Sequence, residues 1–474
     1  MTIKFGTDGW RGVIAEDFTF ENVRLCARGV AEYLIDNKLD HRGLIVGYDT
    51  RFLSEQFAMA VAEVAVGAGV RTYLCETAAP TPVISFNVLH ADAGAGAIIT
   101  ASHNPSIWNG FKFKPEYAGS ATPEIVLSLE DKINAVSSRG HVIESEPWSR
   151  ALQSGSGKLI DPVSPYMEQI ASLVDLDCIK DSGMKVAVDP MYGAGIGYIP
   201  ALLANGKIDV CEIHGLRNPS FPGMVQPEPI AHNLSELSEC VLSTGADVGL
   251  ALDADADRFG LIDEKGNFIN PLQVYGLLAL YLLEIRNERG PLVKSLTATS
   301  MAFRLGEIFD VPVYETPVGF KYICPILIQQ NALMGGEESG GFGFKGHIPE
   351  RDGILSALFL LDLIVKTGKR PSELVEYLFS RVGEHYYRRD DVEFQPDQRS
   401  VLEASLNGTK IDSFCGTTVV TRDNIDGTRL VMEDGSWVVV RFSGTEPLLR
   451  IYCEASSPGI VDASIDEIRG LLGV

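Results

Sequence analysis

Apolar runs of strand length that break into glycine-rich or polar turns, each followed by a stretch of helix length, recur along most of this chain. That alternation constrains the fold more than any other feature. Parallel strands need a long crossover, usually a helix, so the pattern predicts parallel sheets with helices packed on them. GLIVGYDTR (Gly43 to Arg51) leads into SEQFAMAVAEVAVGAG, KVAVDPMYGAG (Lys185 to Gly195) is a second such run, and LVKSLTATS (Leu292 to Ser300) precedes MAFRLGEIF. A spacing of about 110 to 140 residues points to a repeated α/β module rather than a short-period solenoid. From about Val392 the pattern changes to a helix, a turn at Glu433-Asp434-Gly435, the strands SWVVVRFSG and LLRIYCEA, and a closing helix, which reads as a small α+β domain.

Boundary signals are the polar segment from Ser137 to Lys158, the hairpin LIDEKGNFI just past LDADADRFG, and the charged segment from Gly383 to Gln398. They divide the 474 residues into 1–155, 156–259, 260–384 and 385–474. Hydrophobic residues at 45% and charged residues at 22% match ordinary globular usage and exclude a fibrous or disordered chain. The net charge of -23 disfavours nucleic acid and anionic membrane surfaces as partners. An anionic substrate would therefore need basic residues gathered locally. The most apolar run, Ile354 to Val365, is too short to span a bilayer and contains Asp362. MTIKFGTDGWRG lacks the apolar region of a secretory signal, so a cytoplasmic protein is expected. Eight cysteines spread singly, without CxxC, suggest neither a zinc site nor a disulfide framework.

Four loops carry candidate chemistry. In LDADADRFG, Asp253, Asp255 and Asp257 alternate, and residues two apart face the same way only on an extended chain. Three carboxylates so close repel one another unless a cation neutralises them, and an oxygen-only set without nearby His or Cys favours Mg²⁺ or Ca²⁺. The apolar VGLAL before them would deliver the group to the carboxyl end of a strand. AIITASHNPSIWNGFKF runs from an apolar strand into a loop shaped by Pro105; Ser102 beside His103 reads locally either as a nucleophile with its base or as a polar turn. GGEESGGFGF offers two carboxylates and a serine, groups that suit sugar hydroxyls or a plain surface loop. RFSGTEPLLR sets Ser443, Gly444 and Thr445 between Arg441 and Arg450, a natural phosphate cradle or a strand turn with incidental arginines.

FGTDGWRG, TASHNP, DADADR, GEESGG and RFSGTEP in this order resemble the α-D-phosphohexomutase superfamily along the whole chain. The resemblance implies four domains around a central cleft, three of them related α/β modules with mixed, mostly parallel sheets, the fourth a small C-terminal α+β domain. It implies that Ser102 is carried as a phosphoserine whose phosphate completes a Mg²⁺ shell with Asp253, Asp255 and Asp257. His103, Lys112 and Arg258 would surround the transferring phosphoryl group, and Arg11 would support the serine loop. Glu337 and Ser339 would hold sugar hydroxyls, with Gly319, Lys321 and Arg351 beside the sugar, while Arg441, Ser443, Gly444, Thr445 and Arg450 would grip the phosphate that is not transferred.

Under that resemblance the substrate is a hexose phosphate and glucose 1,6-bisphosphate is activator and intermediate. Two acidic residues before Ser339 resemble glucose-selective members; glucosamine enzymes typically have Gln where this chain has Glu338, and dual glucose/mannose enzymes have Met there and His at the place of Gly341. Arg351 stands where glucose-specific enzymes have a lysine, and a guanidinium is a poor base. Val318-Gly319 departs from the family's Thr-Gly. Turning a bisphosphate in the cleft predicts a mobile last domain, and a monomer or homodimer is expected. The alternatives are a phosphomannomutase or dual-specificity mutase, a phosphoglucosamine mutase, a Mg²⁺-dependent phosphatase and a non-catalytic paralogue.

Overall fold

The computed structural model describes residues 3–6, 8–140, 142–408, 411–442 and 448–474. Four sheets follow one another along the chain. The first orders its strands Trp10–Val13, Trp108–Pro115, Ala95–Ile99, Leu44–Tyr48, Thr72–Cys75 and Gly157–Ile160. Its last four strands are mutually parallel, and Trp108–Pro115 runs antiparallel to both of its neighbours. The second sheet repeats the device: Val248–Leu252, Lys185–Asp189 and Asp209–Glu212 are parallel, and the hairpin Phe259–Ile262 with Phe268–Ile269 adds antiparallel strands at one edge. In the third, Leu292–Ser295 lies parallel to Val313–Thr316 and Met334–Gly336, with Phe342–Phe344 antiparallel at the edge. The fourth is antiparallel throughout and carries the helix Pro458–Leu472.

The fold is thus α/β, with three modules whose mixed sheets have a parallel core and an antiparallel edge, followed by a C-terminal α+β domain. Strand pairing carries the first sheet past residue 155 to Ile160 and the second past residue 259 to Ile269. Parallel strands buried on both faces need continuous apolar runs, and every residue of Leu44–Tyr48, Ala95–Ile99 and Val248–Leu252 is buried.

The run that came nearest to a membrane span forms the helix Gly353–Thr367, buried without interruption from Gly353 to Ile364. Asp352 caps it by accepting from the Leu355 amide at 2.9 Å, and Gly368, at φ 63°, ends it in the left-handed conformation that glycine adopts without strain. Asp362, inside this apolar helix, is bonded by Tyr281 and by Lys366. Among the described residues no helix is long and apolar enough to cross a membrane.

One carboxylate docks the C-terminal domain on the third. Glu454, 1% exposed, accepts from Thr299 Oγ1 at 2.6 Å, from the Ser300 amide at 2.8 Å and from Trp437 Nε1 at 2.6 Å, and faces His385 Nδ1 at 3.1 Å. Ser300 is the N-cap of the helix Met301–Phe309, so the carboxylate also lies at the positive end of a helix. Burial alone would raise Glu454; the bonds from His385, Ser300 and Thr299 outweigh it and hold the carboxyl below its ordinary value. A depressed carboxylate contributes stability above its unfolded pKa and loses it as pH falls through the folded one. Glu454→Ala leaves several buried donors unpaired and is expected to cost about 3 kcal/mol of docking stability, read by calorimetry as an earlier first transition. In the wild type that transition should fall only when the pH drops below the ordinary carboxylate range.

Candidate active site

Loops that leave the carboxyl ends of parallel strands converge, as in other open α/β sheets. Ser102 follows the strand Ala95–Ile99 and has φ 52°, in the left-handed region, with its amide bonded to Thr100 Oγ1 at 2.9 Å. This turn brings sequence neighbours together: Ser102 Oγ lies 3.3 Å from His103 Nδ1 and 3.2 Å from Asp253 Oδ2. Burial, together with Arg258, Arg11, Lys112 and Arg51, pushes His103 well below the usual imidazole range. The ring is therefore neutral at pH 7; it can share a hydrogen bond with Ser102 but adds no positive charge. Arg11 donates to Asn104 Oδ1 at 2.9 Å in the same loop.

Arg51, which the sequence reading did not single out, fixes this loop. Its guanidinium is fully buried and donates to four carbonyls of the loop, those of Ser102, Asn104, Pro105 and Trp108. Its Nε is 3.3 Å from Asp49, and Phe221 lies 5.0 Å beneath it. Only a planar cation with five donors can serve so many acceptors at once. The available signal was position: Asp49 to Arg51 follows Leu44–Tyr48, the parallel neighbour of the strand that carries Ser102.

The aspartate loop is pinned from three domains. Thr81 N–H donates to Asp255 O at 2.9 Å, Ala194 N–H to Ala254 O at 2.7 Å, and Gly353 N–H to Ala256 O at 3.0 Å. Asp253, Asp255 and Asp257 are all buried, with ligand oxygens within 4.8 Å of one another. Lys112 Nζ bonds Asp255 at 2.8 Å, Asp257 at 3.0 Å and Asp8 at 2.9 Å, while Thr81 Oγ1 donates to Asp255 Oδ2 at 2.6 Å. Arg258 donates its amide to Asp253 Oδ1 at 3.0 Å and pairs its side chain with Glu228. Burial, then the neighbouring Asp255 and Asp257, drives Asp253 well above the usual carboxylate range. Asp255 Oδ1 and Asp257 Oδ1 are buried without a hydrogen-bond partner. Buried, mutually repelling oxygens with unused lone pairs fit a hard divalent cation.

Arg351 links this loop to the next. Its Nη2 is 2.8 Å from both Asp8 and Asp257, Nε is 3.3 Å from Glu350 and Nη1 is 3.7 Å from Glu337. Burial would lower Arg351, but Asp257, Glu350, Asp8 and Glu337 hold it well above its ordinary value, so it stays a cation. Glu350, with Lys114 at 2.6 Å, and Asp8 are further members of the cluster that sequence reading did not isolate, although Asp8 lies in FGTDGWRG and Glu350 directly precedes Arg351. Glu337 is raised by burial in spite of Arg351. Gly340, at φ 85°, lets the loop approach Phe259: a Cβ there would come within 2.7 Å of Phe259 O. At Gly341 a Cβ would meet Arg351 Cδ at 2.3 Å, so the arginine stem occupies the space a side chain at 341 would need.

Between Glu337 and half-buried Ser339, Glu338 turns to the C-terminal domain and accepts from Tyr387 OH at 2.6 Å. Arg441 and Arg450 are directly paired across antiparallel strands. Like charges so placed repel unless anions lie between them; Arg441 Nε bonds Asp426 at 2.8 Å and Arg450 Nε is 3.8 Å from Asp391. Ser443, Gly444 and Thr445, between them in sequence, lie outside the described residues. Asp426 also accepts from the Val318 amide at 3.0 Å, tying the Gly319 loop to the same domain. Lys321 Nζ sits 5.3 Å over the Tyr322 ring rather than in the carboxylate cluster.

Family models described as phosphoglucomutase/phosphomannomutase, alpha/beta/alpha domains I, II and III, match residues 2–140, 164–266 and 270–382, and the C-terminal domain model matches 404–471. A phosphoglucomutase/phosphomannomutase of Thermococcus kodakarensis is 32% identical over 96% of this chain and 94% of its own length. A phosphoglucosamine/phosphogalactosamine mutase of Sulfurisphaera tokodaii is 29% identical over 99% and 98%. The crystal structure of a candidate phosphomannomutase from Thermus thermophilus superimposes over the full length of both chains, with a TM-score of 0.85 and 33% identity.

Arg51→Met keeps much of the side-chain volume while abandoning four carbonyls and Asp49. It is expected to cost about 3 to 5 kcal/mol, measured by urea denaturation, with Arg51→Lys falling between it and the wild type.

Proposed function

This chain belongs to the α-D-phosphohexomutase superfamily, and from that premise we propose that it interconverts glucose 1-phosphate and glucose 6-phosphate through a phosphorylated Ser102 and glucose 1,6-bisphosphate. One observation carries the reading. Ser102 Oγ lies 3.2 Å from Asp253 in a buried, oxygen-only triad, with Lys112, Arg258 and Arg11 drawn in around it.

Asp253, Asp255 and Asp257, together with the phosphate carried on Ser102, would hold Mg²⁺, which would supply positive charge next to the phosphoryl group. Lys112 and Arg258 stabilise the charge that spreads over the phosphoryl oxygens during in-line transfer. Arg51 and Arg11 keep the serine loop in register, so Ser102 presents the same geometry when it gives and when it receives a phosphoryl group. Glu337 and Ser339 bind sugar hydroxyls, and Arg351 holds Glu337 toward the aspartate loop as a fixed cation rather than a base. Arg441 and Arg450, with Ser443, Gly444 and Thr445, grip the phosphate at the far end of the sugar. Their cross-strand repulsion is relieved by an anion, which is what a phosphate provides. After the first transfer the bisphosphate turns over and its other phosphate returns to Ser102.

Glucose as the sugar is supported by the resemblance of Glu337-Glu338-Ser339 to glucose-selective members and by the arginine stem filling the space beside Gly341. A glucosamine phosphate is the second reading, because relatives named for that activity match over the same length at similar identity. A coupled assay with glucose 1-phosphate, Mg²⁺ and trace glucose 1,6-bisphosphate is expected to show turnover with kcat/KM at least about tenfold above that for mannose and glucosamine phosphates. Equal or better use of glucosamine phosphate would reassign the substrate, and no turnover of any of the three by folded protein would refute the reading.

Ser102→Ala should incorporate no phosphate from labelled bisphosphate and lose at least about 10³-fold in rate. Removing metal with EDTA should bring turnover below about 1%, and added Mg²⁺ should restore it. Full activity after exhaustive chelation would contradict the assignment of the aspartate triad.

A further inference from the structure

Cys26, Cys75, Cys324 and Cys453 are buried, as small core residues are. Cys211 and Cys240 differ. Cys211 is exposed on the edge strand Asp209–Glu212, Cys240 is half-buried on the helix Ser235–Thr244, and their sulfurs are 3.9 Å apart although 29 residues separate them. The strand end and the helix are already tied: His214 Nδ1 lies 3.0 Å from Asp189 and its Nε2 3.1 Å from Glu236 on that helix. Closing the sulfurs from 3.9 Å to the roughly 2.05 Å of a disulfide therefore links two elements that His214 already joins.

The chain between the two cysteines reaches outside its own sheet. Arg217 donates to the carbonyls of Thr50 at 2.9 Å and Arg51 at 3.2 Å. Phe221 underlies the Arg51 guanidinium, and Glu228 pairs with Arg258. The two thiols thus stand at the ends of the segment whose middle supports both the serine loop and the aspartate loop.

We propose that Cys211 and Cys240 form a reversible dithiol/disulfide site that reacts with low-molecular-weight disulfides, and that its closed form braces the segment between them. The Cys211 thiolate attacks one sulfur of the small disulfide, expelling a thiolate and leaving a mixed disulfide. The Cys240 thiolate then attacks Cys211 Sγ and expels the second thiolate. Two protein thiols are oxidised, one disulfide is reduced to two small thiols, and the two protein protons pass to them through solvent. The order follows from exposure. Burial, then Cys211 itself, pushes the Cys240 thiol up to about 11, and the contribution of Cys211 disappears once that thiol is capped.

Full-length protein treated with oxidised glutathione, capped with N-ethylmaleimide and digested should yield a peptide pair linked through Cys211 and Cys240. Amide exchange across 213–234 should slow at least severalfold, and dithiothreitol should reverse both changes. Cys240→Ser should stop at a glutathione adduct on Cys211, and Cys211→Ser should leave Cys240 unlinked, while both reduced variants keep the wild-type unfolding midpoint. Maleimide on both wild-type thiols, or a separate glutathione on each, overturns the site. A linked protein that exchanges as fast as the reduced one overturns the brace.

Discussion

Burying Asp253, Asp255 and Asp257 in one short loop obliges the rest of the molecule to bring positive charge to them. An uncompensated buried carboxylate costs several kcal/mol, and three together cost more than their separate sum because each disfavours ionisation of the next. The compensation comes from far along the chain: Lys112 from the first domain and Arg351 from the third, with Asp8, Lys114 and Glu350 extending the alternation of signs. The same loop has its backbone pinned by Thr81, Ala194 and Gly353. Three domains are held in one arrangement by the requirements of five residues.

This arrangement also reconciles an acidic protein with the anionic substrate proposed for it. A net charge of -23 sets a repulsive background, yet the cations near Ser102 are buried, where screening by solvent and salt is weakest. Lys112 and Arg351 are held as cations by the carboxylates around them. His103 is driven neutral first by burial and then by Arg258, Arg11, Lys112 and Arg51.

The C-terminal domain is joined by a smaller contact that mixes polar bonds with apolar packing. Glu454 gathers donors from both sides of the junction, Glu338 reaches Tyr387, and Asp426 is shared by Arg441 and the Val318 amide. These polar contacts flank a small apolar patch in which Leu272 and Leu296 of the third domain meet Trp437, Val439 and Tyr452, beside the larger apolar core that joins the second and third domains through the helix Gly353–Thr367. The charge-assisted hydrogen bonds of this junction can be exchanged for bonds to a ligand, whereas its apolar patch cannot.

The strand-and-helix alternation was legible in the sequence because parallel strands buried on both faces must be continuously apolar, and the change of pattern near Val392 marked the antiparallel domain for the same reason. The aspartate triad was legible as three crowded carboxylates, but the extended loop expected from its spacing is instead a turn, with Ala256 N–H donating to Asp253 O at 2.9 Å and Ala256 at φ 54°. Contacts between side chains distant in sequence were not legible. Ser102 and His103 meet only because a left-handed residue turns the loop, and Arg51 became a support of that loop only once parallel pairing set its strand beside Ala95–Ile99. Cys211 and Cys240, scattered thiols in the sequence, come within 3.9 Å because the helix that packs on Lys185–Asp189 and Val248–Leu252 lies beside the neighbouring edge strand. The sequence determined which chemical groups the protein owns and the periodicity of the elements that carry them; the tertiary structure decided which groups share a site, because burial and Coulomb interactions act through space and not along the chain.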